Sequence, residues 1–108
     1  MPIREPVHPG EYIAETLKEL DMSARELGQA LHVSPNRITE IIRGRRGITA
    51  DTALRLGRWL GTGPDIWMNL QKTFDLRAAE LEHGAEIEQE VAPREGIPSV
   101  PSVPLGKP

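Results

Sequence analysis

The chain has 108 residues, with 38% hydrophobic and 4% aromatic side chains, enough for one compact core and too few for two. It has no cysteine, which excludes a disulfide framework, a thiolate metal site and a cysteine nucleophile. The net charge of −3 hides an asymmetry: residues 23–61 hold seven arginines against three carboxylates, while residues 75–90 hold six carboxylates against Arg77. A basic middle beside an acidic end fits two partners of opposite charge, or a surface kept clear of DNA, or simply two solvated faces.

Taken in order, the first ten residues lack the basic start and apolar stretch of a secretion signal. No apolar run approaches the roughly 18 residues that span a bilayer. A soluble, cytoplasmic protein without a membrane partner is therefore expected. Pro9 and Gly10 open a first helix, with Ile13, Leu17 and Leu20 on one face at helical spacing. Ser23 and Glu26 form a capping box at the start of a second, whose inner stripe is Leu27, Ala30 and Leu31. After a very short break at His32-Val33, Ser34 caps a third helix. Pro35 stands at its first position, where the missing N–H costs nothing. Ile38, Ile41 and Ile42 form its buried face, and Gly44 ends it.

Thr49 caps a fourth helix that runs to about Leu60, with Ala53, Leu54, Leu56 and Leu60 inward, and Gly61 and Gly63 break it. Pro64 opens a fifth, carrying Trp67, Leu70 and Phe74 at spacings of three and four and continuing toward Glu90 with a weakening apolar face. No alternation of the β type and no internal repeat occurs. The folded domain is expected over residues 1–92. Residues 93–108 hold seven of the chain's twenty glycines and prolines and repeat Ser-Val-Pro, so an extended or disordered tail is expected there.

Residues 23–31 and 34–43 are two short capped helices whose link is too brief for antiparallel packing. They must cross steeply, as in a helix-turn-helix, whose second helix enters the major groove by its N-terminal end. The exposed side of that helix carries Pro35, Asn36, Arg37, Thr39 and Glu40. Asn pairs bidentately with adenine, Arg reaches guanine or phosphate, Glu accepts from cytosine, and the Thr methyl touches thymine. Facing alone does not separate base readers from phosphate holders. Ser23, at a helix N-terminus, suits a phosphate oxygen. Arg43, Arg45 and Arg46, set among Gly44 and Gly47, read as a phosphate clamp or a minor-groove reader. Capped helix pairs also occur in plain bundles, and arginines also solvate surfaces. The coincidence of both with a local positive excess points to DNA.

Trp67, Leu70 and Phe74 follow a four-helix core that is already complete. They either pack helix five onto helix one or form a two-fold dimer seam. Glu86, Glu88 and Glu90 are a solvated helix end or a dock for a basic protein. His8, His32 and His83 each stand alone in the sequence, so no metal is expected. His8 reads as a helix-entry residue. The chain has no Ser-His-Asp set and no Gly-rich phosphate loop, so no catalytic residue and no cofactor is expected. A purely protein-binding helical scaffold is the remaining alternative.

Val7-His8-Pro9-Gly10-Glu11 resembles the opening of HigA-type antitoxins, a branch of the Xre/Cro-like helix-turn-helix regulators. Residues 22–27 through 34–42 resemble the two-helix motif of that family. Gly47-Ile48-Thr49-Ala50-Asp51-Thr52-Ala53-Leu54-Arg55-Leu56, and Trp67-Met68-Asn69-Leu70-Gln71 followed by Phe74-Asp75-Leu76, are similar to its two later motifs. The likeness covers residues 7–82 and leaves the tail unmatched. It implies an all-α, five-helix lambda-repressor-like (Xre) domain, a homodimer, and operator binding as a transcriptional repressor. It also implies a partner, an RNA-cleaving HigB-type toxin of the RelE-like class. A stand-alone regulator with no toxin is the alternative.

Overall fold

A computed structural model describes residues 5–95. Five helices follow one another: α1 (Pro9–Leu20), α2 (Ala24–Leu31), α3 (Pro35–Ile42), α4 (Ala50–Leu60) and α5 (Asp65–Glu90). No strand occurs among the described residues, so the all-α expectation holds. Residues 93–95 are exposed and non-helical, and the rest of the expected tail lies outside the described residues.

The helix ends are set locally. The Ser23 hydroxyl accepts from the Glu26 N–H while the Glu26 carboxylate accepts from the Ser23 N–H, completing the capping box. Ser34 and Thr49 cap α3 and α4 through Arg37 N–H and Thr52 N–H. Each satisfies an amide that the first turn leaves unpaired. The break after α2 is one αL residue, His32 at φ 61°, after which Val33 N–H returns to the Gly28 carbonyl. Gly28 lies directly against the Val33–Pro35 backbone, which holds the two motif helices at close range.

Ile13, Leu17, Leu27, Leu31, Ile38, Ile41, Ile48, Ala53, Leu56 and Trp67 form one buried cluster drawn from all five helices and the loop before α4. Ala30 and Ile42 are only partly buried. Two expected core residues are exposed instead. Leu20 is 46% exposed, because the chain reverses at Asp21 and Met22 packs on that end of the core instead. Leu54 is 60% exposed: it lies 100° around the helix from Ala53, on the flank of α4, and Thr52 takes the inward place at 2%. Backbone approach is closest where α1 meets the end of α3, since a side chain on Gly10 would collide with the Ile41 carbonyl. The same holds where Gly57 of α4 meets the Gly63–Pro64 backbone.

His8 is the N-cap of α1: its Nδ1 accepts from the Gly10 N–H at 2.9 Å. Its ring also packs edge-on to Phe74, with centroids 4.8 Å apart. Burial holds this imidazole below its ordinary pKa, against the opposing pull of Asp75 and Glu11. Only the neutral ring can accept the Gly10 hydrogen bond. As pH falls through about 6.5, the unfolded chain takes up the proton before the folded one. Stability is thus full above that pH and is lost below it. Melting temperatures of the native chain should therefore fall more steeply between pH 7.5 and 5.5 than those of His8→Asn, which keeps a cap acceptor. Equal slopes would refute this role.

Candidate nucleic-acid interface

Three isoleucines fix the rotation of α3. With Ile38 and Ile41 buried and Ile42 partly so, Asn36, Thr39 and Arg43 share the opposite face at i, i+3 and i+7. Pro35, Asn36 and Arg43 are exposed, and Thr39 and Glu40 half-exposed. Thr39 Oγ1 donates to the Pro35 carbonyl at 3.1 Å. Ser23 and Ser34 are exposed, and each hydroxyl oxygen already accepts a backbone N–H. Their O–H groups remain able to donate outward, beside helix N-termini that favour an anion.

Immediately after α3, Arg43, Arg45 and Arg46 are all exposed. Among the described residues, none has a carboxylate within ion-pair distance. The turn holding them is anchored at both ends. Gly44 N–H and Arg45 N–H donate to the Ile41 and Glu40 carbonyls. Further on, Ile48 N–H donates to Gln71 Oε1 of α5 at 2.6 Å, and Gly47 lies against the Gln71 amide. Gln71 Nε2 in turn donates to Asp75. The sequence assigned Gln71 no role, and only its place in the Leu70-Gln71 motif marked it.

Arg37 departs from the rest. It sits on the flank of α3 facing α4, with Nη1 donating to Asp51 Oδ2 at 2.8 Å and to Thr52 Oγ1 at 3.4 Å. Arg55 Nε donates to the same Asp51 oxygen at 2.9 Å, and Arg55 Nη1 donates to the Leu31 carbonyl at 2.9 Å. Hydrogen bonds from Arg55 and then Arg37 hold the Asp51 carboxyl below the usual range. Arg37 is therefore engaged within the chain, whereas among the described residues the side chains of the three loop arginines have no hydrogen-bond or ion-pair partner.

On α5, Trp67 is 5% exposed, and its Nε1 donates to Thr62 Oγ1 at 3.1 Å. Leu70 packs against the core from a partly buried position, and Phe74 packs under His8. All three thus contact their own chain. The large apolar residues that α5 leaves exposed are Ile66, Met68, Leu76, Leu81 and Ile87. From Ala79 to Glu90 every residue except Gly84 is exposed, so the end of α5 runs clear of the core. No helix among the described residues is long and apolar enough to cross a membrane.

The helix-turn-helix family matches residues 13–67. Virulence-associated protein I of Dichelobacter nodosus is 55% identical over 75 residues, 68% of this chain and 69% of that protein. An addiction module antidote protein of the HigA family from Coxiella burnetii has a TM-score of 0.82 at 49% identity, over 84% of this chain and 100% of its own. Antitoxin HigA of Pseudomonas aeruginosa, solved with the higBA promoter, has a TM-score of 0.79 at 45% identity, over 82% of this chain and 97% of its own. With the two-helix motif inside the matched span and HigA antitoxins alike in fold over most of its length, this chain belongs to the helix-turn-helix family, in its Xre-like HigA branch.

Proposed function

We propose that the protein is an antitoxin that binds its operator as a homodimer, represses transcription, and neutralises a HigB-type, RNA-cleaving toxin. The observation that carries the DNA reading is the outward face of α3, with Asn36, Thr39 and Arg43 in line and Arg45 and Arg46 beside it, all three arginines free of carboxylates among the described residues. Guanidinium groups without internal partners suit phosphate or guanine. A two-fold dimer would set two α3 helices about 34 Å apart, one turn of DNA. The Pseudomonas aeruginosa HigA solved with promoter DNA supports the same reading.

The toxin half of the proposal rests on the HigA likeness and on charge. The free end of α5 carries Glu80, Glu82, Glu86, Glu88 and Glu90, a surface that suits a basic, RNA-binding partner. Co-expression with the neighbouring reading frame tests both halves. A small basic protein should co-purify, lose its ribonuclease activity in the complex, and leave a chain that retards its own promoter fragment. Promoter binding with no co-purifying partner would instead mark a stand-alone regulator. Equal affinity for promoter and random DNA would remove the repressor.

A further inference from the structure

We propose that Arg37 does not read DNA but acts through Asp51 as a strut that sets how α3 lies on α4, and with it the presentation of Asn36, Thr39 and Arg43. The proposal rests on the DNA-binding reading above and assigns a positioning pair within it. One carboxylate oxygen, Asp51 Oδ2, takes Arg37 Nη1 from α3 at 2.8 Å and Arg55 Nε at 2.9 Å. Through its other end Arg55 reaches the last carbonyl of α2. α3 is thereby tied to α4 at Asp51 and α2 is tied to it at Arg55, and the Arg55–Asp51 pair joins the two ties within α4.

Several features favour a strut over a reader. Arg37 lies one residue, or about 100°, around α3 from Asn36, off the line that Asn36, Thr39 and Arg43 form. Its side chain is 30% exposed, in contrast to the exposed Arg43, Arg45 and Arg46. A move to a phosphate would strip Asp51 of one of its two cations and leave that carboxylate under-neutralised. Asp51 stands in the first turn of α4, where the helix dipole favours its charge. Thr52, 2% exposed, offers Arg37 a second acceptor from that same turn. Exposed ion pairs add only modestly to global stability, so the expected effect of this one is local, on how firmly and in what orientation α3 is held against α4.

The test compares the full-length native chain with Asp51→Asn, Arg37→Met and the double variant, on the motif that the native chain enriches from random duplex DNA. Each single variant should bind about three- to fivefold more weakly, by the same factor on every single-base operator variant, with an unchanged salt slope. The double variant should be no weaker than the worse single. Asp51→Glu, which keeps the carboxylate, should recover most of the loss. Hydrogen exchange without DNA should show α3 amides opening faster by the same factor in both single variants and the double. Arg37→Met losing discrimination at one base pair, additive losses, or unchanged α3 exchange would each overturn the strut. A native chain that enriches no motif would fail the DNA reading instead, while α3 exchange would still report on the strut.

Discussion

Replacing Arg43, Arg45 and Arg46 together with alanine is expected to weaken operator binding at least about a hundredfold and to flatten its salt dependence. Each phosphate neutralised by a side chain contributes about 0.9 to the slope of log affinity against log salt. Three contacts per chain should therefore remove roughly 2.7 per half-site. Because phosphates carry no sequence, the loss should be uniform across operator variants. Asn36→Ala should behave differently, losing about 1–3 kcal/mol at one base pair and leaving the slope alone. Arg58→Ala serves as a control: Arg58 is also exposed, but it lies in the last turn of α4, in a hollow shared with Ala30, His32 and Trp59 rather than with α3 residues. A triple variant with native affinity and native slope would remove the loop from the interface.

The contrast between these arginines and Arg37 shows where sequence reasoning stops. Local signals were legible. Ser23 with Glu26, Ser34 before Pro35, and Thr49 each specify a helix start within three residues, and each cap forms as expected. Isoleucine spacing fixed the outward face of α3 for the same reason. The contacts that shape the site are long-range: Arg37 reaches 14 residues to Asp51, and Gln71 reaches 23 residues back to Ile48. Periodicity places a residue on a helix flank but does not name the helix facing that flank. Leu54 fails for a related cause. Reading every apolar residue of α4 as inward ignores its angle, and Thr52, capped into place by Thr49, holds the buried position.

Trp67, Leu70 and Phe74 fit the expected apolar stripe, yet the chain folds back on them itself. This bears on where a second copy would join. Along the side of α5 away from Trp67, Met68 and Leu76 are exposed, followed by Ala79, Ile87 and Val91. Two shallow hollows meet there at Leu76, one lined by Met68, Gln71, Lys72 and Asp75, the other by Ala79, Gly84, Ile87 and Val91 among others. Lys72 and Asp75 border one half of this strip and Glu80 and Glu88 the other, so its apolar centre at Leu76 and Ile87 is the part suited to a second copy. Leu76→Asp with Ile87→Asp should turn a dimer into a monomer in sedimentation at micromolar concentration, with an unchanged melting transition for the isolated subunit. Operator affinity should fall on the order of a hundredfold or more, because one half-site no longer recruits the other. Trp67→Ala should instead lower subunit stability by about 3–5 kcal/mol, as loss of a core side chain does. If the double aspartate variant remains dimeric, the seam lies elsewhere on the chain. If Trp67→Ala dissociates a well-folded dimer, the stripe of Trp67, Leu70 and Phe74 serves the second copy after all.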